Sequence, residues 1–280
     1  MQLINTKKEL KSLLNSLDDT KSIGLVPTMG ALHLGHLSLI EQANRENDHT
    51  VVSIFVNPTQ FNNQEDLAKY PNTLEADLSL LKSVSDTLIV FSPNAEEIYS
   101  GNISSQTYDF NGLDKVMEGA FRQGHFDGVG TIVEKLFTLI NPTRAYFGEK
   151  DFQQLQIIRK LVQLKNLPVT IVGCPIVREA NGLAMSSRNA RLSEELREEA
   201  AFIYKTLLSA KENFGTKSAD FIMDWVKNEF STQPNLDLEY ITIVDEAHLQ
   251  PIKEPKKDTP YRAFIAVYVD GVRLIDNIAL

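Results

Sequence analysis

The sequence predicts an α/β fold: a Rossmann-like, doubly wound parallel sheet followed by a smaller C-terminal α+β domain. Short, continuously apolar runs alternate with helical segments over the first 175 residues, a pattern typical of parallel strands covered by helices on both faces. The pattern changes near residue 176, and an Asp270-Gly271 hairpin signal separates the last two apolar runs. We therefore predict a Rossmann-like, doubly wound domain over residues 1–175 and a smaller α+β domain over residues 176–280.

The periodicity of apolar residues gives each element in turn. In the first domain, helices are predicted over residues 6–17, 36–47, 66–85 (mostly after Pro71), 128–140 and 151–165. Strands are predicted over residues 23–26, taken as the first strand, and over 51–56, 87–91, 145–147 and 169–172. The second domain is expected to contain helices 193–214 and 219–230 and strands 238–244, 262–269 and 272–275.

Composition excludes several classes of function. The chain has 280 residues and a formal net charge of −9, which argues against a general nucleic-acid or anionic-membrane binder. Its single cysteine, Cys174, excludes an intrachain disulfide, makes a cysteine-based zinc site implausible and is expected to be buried. The start lacks the apolar core of a signal peptide, and no apolar run approaches the ~20 residues needed to span a bilayer. A cytoplasmic protein is expected.

A turn with two histidines follows the first predicted strand. Residues 27–36 read Pro-Thr-Met-Gly-Ala-Leu-His-Leu-Gly-His and are expected to open a helix. The first turn of a helix has unpartnered backbone N–H groups and partial positive charge, so it attracts anions such as phosphate. Neutral His33 and His36 can each donate an N–H to a phosphate oxygen, while Gly30 permits the turn and Gly35 a close approach. Two surface histidines at a helix start are the alternative interpretation.

Two common phosphate-binding loops do not match the sequence. The spacing from Gly30 to Gly35 is that of a P-loop, but His36-Leu37 replaces the required Lys-[Ser/Thr]. The pair Gly128-x-Gly130 lacks both the third glycine and the preceding strand of a dinucleotide fingerprint. A different kind of phosphate site is indicated.

Three further polar clusters occur where predicted strands end, which is where ligands bind in such folds. The first contains Asn57 and Gln60, whose amides suit a small neutral or hydroxylated substrate. The second cluster consists of Gly148, Glu149, Lys150 and Asp151. Lys150 suits a phosphate contact, and Asp151 could cap a helix. The third offers hydroxyls, backbone donors and a guanidinium to a polyphosphate and consists of Met185, Ser186, Ser187 and Arg188.

Taken together, these motifs resemble the pantothenate synthetase (pantoate–β-alanine ligase) family, nucleotidyltransferases with a paired-histidine signature. The resemblance covers nearly the whole chain, and the motifs in order are PTMGALHLGH (27–36), FVNPTQF (55–61), FGEKDFQQL (147–155) and VREANGLAMSSRN (177–189). It implies an ATP-dependent condensation of (R)-pantoate with β-alanine through a pantoyl-adenylate, releasing AMP and diphosphate. It also implies Mg²⁺ and a homodimer, and the charge of the chain leads us to expect no nucleic-acid or membrane partner.

The resemblance also implies roles for individual residues. His36, Lys150 and Arg188 would be catalytic, His36 as proton donor and the two cations as neutralisers of phosphate charge. Gln60 and Gln154 would hold pantoate, and Gln60 would also meet β-alanine. The implied nucleotide-binding set comprises Met29, Gly30, Ala31, Leu32, His33, Leu34, Gly35, His36, Gly148, Glu149, Lys150, Asp151, Val177 (against adenine or ribose), Met185, Ser186, Ser187 and Arg188.

Two further residues have open interpretations. Asp77 is a possible Mg²⁺ contact, but this chain has Ala76-Asp77 where family members can have two adjacent acids. We therefore assign no metal ligand and expect Asp77 to lie on a solvated helix face. His125 is either a pocket residue or a structural histidine.

Two rival functions remain at the level of sequence. A nucleotidyltransferase acting on a phosphorylated substrate would be expected to carry extra Arg or Lys after the second predicted strand, where this chain has residues 57–60, Asn-Pro-Thr-Gln. A non-catalytic nucleotide-binding module would not need Lys150 and Arg188 in addition to the histidines.

Overall fold

A six-stranded parallel sheet dominates the computed structural model, which describes residues 1–62, 64–68 and 70–280. Its strands are β1 (Gln2–Ile4), β2 (Ile23–Thr28), β3 (His49–Ile54), β4 (Ile89–Phe91), β5 (Arg144–Gly148) and β6 (Thr170–Cys174). Their order is β1-β4-β3-β2-β5-β6, and each neighbouring pair is parallel. The order reverses at β2, so the carboxyl end of β2 is the switch point where such sheets bind ligands. The predicted fold class is confirmed.

Helices connect these strands and cover the sheet. They are α1 (Lys7–Leu14), α2 (Leu34–Glu46), α3 (Gln64–Ala68), α4 (Leu74–Val84), α5 (Ala95–Tyr99), α6 (Met117–Phe121), α7 (His125–Ile140) and α8 (Phe152–Lys165). In one core cluster, Ile40 of α2 and Leu81 of α4 pack with Val26 and Val52 of the sheet, and all four are fully buried. Burial of the strands on both faces explains why they read as continuous apolar runs.

The chain divides into two compact units. The first comprises Met1–Glu149 and Gln153–Pro175, and the second comprises Lys150–Phe152 and Ile176–Leu280. The second unit contains an antiparallel sheet in the order β7-β8-β9. Its elements are α9 (Glu194–Ala200), α10 (Phe202–Asn213), α11 (Ala219–Ser231), β7 (Leu236–Asp245), β8 (Tyr261–Val269) and β9 (Val272–Ala279).

The structure corrects three predicted elements. The first strand is β1, which precedes the segment predicted as the first strand. β1 has only three residues, and only Ile4 among them is buried, so β1 has no apolar run that the sequence could show. The predicted helix 66–85 is two helices, α3 and α4, and it spans Lys69, which lies outside the described residues. The predicted helix 193–214 divides at Ala201, whose N–H bonds the carbonyl of Glu198 in a tighter 3₁₀-like turn.

Two general expectations about the chain can also be compared with the structure. Cys174 is buried at the end of β6, as predicted, and burial raises the pKa of its thiol to about 11. Within the described ranges, no helix is long and apolar enough to cross a membrane.

Candidate active site

The turn that follows β2 has an unusual backbone conformation. Gly30 has a φ of 80°, and Ala31, which carries a Cβ, has a φ of 50°. A Cβ on Gly30 would lie 3.0 Å from Asp77 Oδ2 and 3.2 Å from Ile54 Cγ2, so both conformation and space favour glycine there. The left-handed conformation of Ala31 costs about 1–2 kcal/mol, which neighbouring interactions must offset.

Asp77 supplies those interactions, and its predicted position on a solvated helix face is wrong. The side chain of this α4 residue is buried, with 1% exposure. Its Oδ2 accepts the N–H of Ala31 at 3.0 Å, and its Oδ1 accepts the N–H of Leu32 at 2.8 Å. Thr73 Oγ1 also donates to Oδ1 at 3.3 Å. A carboxylate that accepts two backbone N–H groups fixes the turn in the shape that leads into α2.

The two predicted histidines cap the N-terminus of α2 reciprocally. His33 is the N-cap, and its Nδ1 accepts the N–H of Gly35 at 3.2 Å. The N–H of His33 donates to Nδ1 of His36 at 3.3 Å. The ring centroids lie 4.1 Å apart. The arrangement resembles a capping box in which imidazoles take the places of the usual hydroxyl and carboxylate.

This cap determines the tautomer of both rings. An Nδ1 that accepts a hydrogen bond cannot carry a proton, so the single proton of each neutral imidazole lies on Nε2. His33 and His36 therefore each present an Nε2–H donor at a helix N-terminus, which already favours anions. Of the other predicted residues in this segment, Met29 and Gly35 are half-buried, Leu32 is buried and Leu34 is 60% exposed.

Gln60 lies at the carboxyl end of β3, in the short helical turn Pro58–Gln60. Its Nε2 is 3.2 Å from Sδ of Met29, so the structure brings two predicted site residues together. Nδ2 of Asn57 donates to Oε1 of Gln60 at 3.0 Å. His125, which is buried, lies with Nδ1 2.9 Å from the carbonyl oxygen of Gln60. A carbonyl only accepts, so Nδ1 of His125 is the donor and this contact holds the backbone of Gln60.

Adjacent glutamines on α8 have opposite surroundings. Gln153 is buried, accepts the N–H of Glu118 and donates to the carbonyls of Leu113 and Val116. Gln154, the predicted substrate contact, is half-buried. Gln153 therefore holds a loop, while Gln154 is only partly buried.

Lys150 belongs to the second unit, where the C-terminal sheet holds its backbone. Nδ2 of Asn277 donates to the carbonyl of Lys150 at 2.9 Å, and Arg262 donates to Oδ1 of Asn277 at 2.6 Å. The Arg262 guanidinium lies 3.8 Å from the centre of the Phe152 ring. The Lys150 ammonium is 3.9 Å from Asp151, its neighbour in the 3₁₀ turn Glu149–Asp151. Gly148, the last residue of β5, and Glu149 belong to the first unit.

The remaining predicted residues lie in a hairpin and in the 3₁₀ helix that follows it, all in the second unit. The N–H of Met185 donates to the carbonyl of Val177 at 3.0 Å, and Arg178 pairs with Ala184. Oγ of Ser186 accepts the N–H of Arg188 at 3.2 Å and caps the 3₁₀ helix Ser187–Arg191. The hairpin is therefore the reason that Val177 lies close to the cluster that contains Met185, Ser186, Ser187 and Arg188.

The described residues do not form a preassembled metal site. No group of three or more His, Cys, Asp or Glu side chains among them is arranged to hold a metal ion. Asp77, the candidate considered from the sequence, has both carboxylate oxygens engaged by N–H donors of the turn. Its contacts fit a structural acceptor and do not fit a dedicated Mg²⁺ ligand.

The sequence singled out Asn57 and Asp77 but did not predict the structural role of either residue. The sequence assigned the Asn57 amide, with that of Gln60, to a small substrate, but Asn57 is 1% exposed and its amide bonds Gln60, Gly128 and Tyr99. Asp77 lies 45 and 46 positions from the residues it holds. A polar side chain directly after a buried strand was an available signal for Asn57. Asp77 offered no comparable local signal.

Comparison with known proteins identifies the family. A family model described as pantoate-beta-alanine ligase matches residues 2–279. Pantothenate synthetases of Flavobacterium psychrophilum and Christiangramia forsetii are each 56% identical over 281 residues, covering 100% of this chain and 100% and 99% of their own lengths.

Solved structures show the same relationship. A crystal structure of pantothenate synthetase from Thermus thermophilus aligns with a TM-score of 0.90 at 40% identity, covering 99% of each chain. Pantoate-beta-alanine ligase from Francisella tularensis, complexed with beta-gamma ATP and beta-alanine, aligns with a TM-score of 0.82 at 37% identity, covering 99% of this chain and 97% of that one. This chain belongs to the pantoate–β-alanine ligase family.

Proposed function

We propose that this chain condenses (R)-pantoate with β-alanine to form pantothenate at the expense of ATP, through a pantoyl-adenylate, with release of AMP and diphosphate. Membership of the family supports the overall reaction, and the Francisella relative was solved with an ATP compound and β-alanine. The reaction needs a site that brings two anions together, because the pantoate carboxylate must attack the α-phosphorus of ATP. Positioning and charge neutralisation are therefore the main demands on the protein.

The observation that carries the proposal is the reciprocal cap of His33 and His36. It places the proton of each neutral ring on Nε2, at the start of α2, which follows β2 where the sheet order reverses. We assign these donors to the ATP phosphates and give His36 the role of proton donor. The turn from Met29 to Gly35 would supply backbone N–H groups, because Asp77 keeps its conformation fixed.

The family resemblance extends the nucleotide assignment to the other predicted residues. Lys150 and Arg188 would offset the charge that grows on the leaving diphosphate, as catalytic cations. Val177 would lie against adenine or ribose. The remaining residues of the set would complete phosphate binding with their backbone and side-chain donors. These residues are Gly148, Glu149, Asp151, Met185, Ser186 and Ser187.

Gln60 and Gln154 are assigned to pantoate. Both amides would hydrogen-bond the small hydroxylated acid, and Gln60 would also meet β-alanine in the second half-reaction. There the amine of β-alanine attacks the acyl carbon, and AMP leaves with the bridging oxygen. The adenylate is itself the activated acyl group, so the scheme needs no covalent enzyme intermediate.

Four broader assignments complete the proposal. Mg²⁺ would enter with the ATP phosphates and water, because no metal-ligand cluster occurs in the described part of the chain. The family resemblance supports a homodimer. The requirement for ATP supports a cytoplasmic location. Nucleotide and pantoate binding are assigned to residues 1–175, with Lys150–Phe152 grouped in the second unit.

Diphosphate release measured with ATP and a series of acids tests the proposal. Pantoate should release diphosphate, and a phosphorylated acceptor such as a nucleotide or pantetheine phosphate should not. Release with a phosphorylated acceptor and none with pantoate would overturn the proposal in favour of the rival nucleotidyltransferase. No release with any acid would favour a non-catalytic nucleotide-binding module.

Two substitutions test the assigned residues. His36→Ala and Lys150→Ala should each slow adenylate formation by at least about 100-fold, the usual scale for such electrostatic groups. His248→Ala and Lys227→Ala are matched controls, because their side chains are 78% and 58% exposed. Near-normal adenylate formation in either test variant would reject the role assigned to that residue.

A further inference from the structure

Tyr99, the last residue of α5, has a buried hydroxyl that sequence analysis gave no role. Its hydroxyl donates to Oδ1 of Asn57 at 2.6 Å and lies 2.9 Å from Oγ1 of Thr59. Burial raises the pKa of this phenol, which keeps the proton on the hydroxyl. Tyr99 is therefore a hydrogen-bond donor to Asn57 at any physiological pH.

The orientation of the Asn57 amide follows from a backbone carbonyl. Nδ2 of Asn57 donates to the carbonyl oxygen of Gly128 at 3.1 Å and to Oε1 of Gln60 at 3.0 Å. A flipped amide would place Oδ1 against the Gly128 oxygen, and two acceptors would face each other. Oδ1 must therefore face Tyr99 and Thr59, and because Asn57 is 1% exposed it needs a donor from them.

Asn57 in turn sets the orientation of Gln60. Since Oε1 of Gln60 accepts from Asn57, the NH₂ group is the end that points toward Met29, with Nε2 3.2 Å from its Sδ. Gln60 thus presents donors on the side of the loop that follows β2. Donors suit a carboxylate, carbonyl or hydroxyl oxygen and do not suit an ammonium group.

We propose that Tyr99 is a positioning residue for pantoate binding, which acts through Asn57 to hold the NH₂ of Gln60 toward an oxygen of the substrate. The proposal rests on the assignment of Gln60 to pantoate under the proposed function. In a buried network of this kind each member is satisfied only while its neighbour keeps its orientation. Without the hydroxyl, Oδ1 of Asn57 keeps only the weaker contact from Thr59, at 3.1 Å, and both amides lose one reason to keep their orientation.

Steady-state kinetics of Tyr99→Phe test this inference. The variant keeps the ring and removes only the hydroxyl, and we expect the KM for pantoate to rise about tenfold while the KM for ATP stays within about twofold. The matched control is Tyr146→Phe, since the hydroxyl of Tyr146 is also buried and bonds an asparagine, Asn47, at 2.7 Å. Asn47 is the C-cap of α2, whereas His33 is its N-cap, so the control contact lies at the other end of that helix. In the control, both KM values should stay within about twofold.

Each outcome separates the inference from the proposed function. Wild-type protein without activity on pantoate would refute the proposed function itself. Wild-type activity with an unchanged pantoate KM in Tyr99→Phe would refute the inference alone, as would an equal rise in both KM values.

A second variant tests the polarity claim even if Tyr99→Phe folds poorly. Gln60→Glu keeps an oxygen for Asn57 and replaces the NH₂ by an acceptor, so kcat/KM for pantoate should fall by at least about 100-fold. A change of less than about threefold would show that the NH₂ does not face the substrate.

Discussion

Replacement of Asp77 by asparagine tests the role of the buried carboxylate in shaping the phosphate-binding turn. Its oxygens accept the N–H groups of Ala31 at 3.0 Å and Leu32 at 2.8 Å. Asparagine has one carbonyl oxygen, so its NH₂ must face one of these donors. Each hydrogen bond to a charged group is worth about 1.5–3 kcal/mol, so the loss should be roughly 2 kcal/mol. A free-energy loss of that size lowers the equilibrium constant for forming the binding-competent turn about 30-fold, and the population of that turn falls by the same factor where its alternatives are of similar free energy.

The assay is the KM for ATP in diphosphate release, measured beside urea unfolding. Asp77→Asn should raise the KM for ATP about 30-fold while the protein still unfolds cooperatively. Glu75→Gln removes the same charge from an exposed position in the first turn of the same helix and should leave the KM unchanged. An ATP KM within about threefold of wild type in a folded Asp77→Asn protein would refute the reasoning.

Ala31→Gly provides a rescue that depends on the mechanism. Ala31 has a φ of 50°, which glycine adopts without the Cβ penalty of about 1 kcal/mol. In the Asp77→Asn background, Ala31→Gly should therefore recover about fivefold of the lost ATP affinity. No recovery would show that Asp77 acts by some route other than holding this turn.

Three other variants or measurements follow from the contacts. Gly128→Ala would place a Cβ 2.4 Å from the carbonyl oxygen of Thr59, so we expect a lower melting temperature and about a tenfold higher pantoate KM; wild-type values would contradict the tight contact. Asn277→Leu removes the hydrogen bond to the carbonyl of Lys150, so urea unfolding should show a loss of about 2 kcal/mol and adenylate formation should slow; unchanged rates would contradict a positioning role. Burial raises the pKa of Cys174 to about 11, so a thiol reagent at pH 8 should label the protein only in denaturant; rapid labelling of the native protein would contradict this.

The fold class could be predicted from the sequence because strands buried on both faces produce continuous apolar runs. The predicted strand 51–56 and the observed β3 (His49–Ile54) differ by only two residues at each end. β1 could not be found in this way, because only one of its three residues is buried and its pairing with β4 joins residues 87 positions apart. Strand order is likewise a property of distant pairings and leaves no local pattern.

The candidate site shows the same division between local and distant interactions. His33 and His36 are three residues apart, so a single helix start brings their rings together and the motif is visible in the sequence. Asp77 reaches its partners across 45 and 46 positions, and Tyr99 reaches Asn57 across 42. An isolated acid or tyrosine on a helix gives no sign of such contacts. The catalytic and binding roles of the predicted residues stay predictions.

The central claim is that the pantoate carboxylate attacks the α-phosphorus of ATP, and isotope transfer tests it most directly. Pantoate labelled with ¹⁸O in its carboxylate is turned over with ATP and β-alanine, and the products are analysed by mass spectrometry. The bridging oxygen of a pantoyl-adenylate comes from pantoate, so one ¹⁸O should appear in AMP and none in diphosphate. Label in inorganic phosphate with formation of ADP, or AMP without label, would contradict the account.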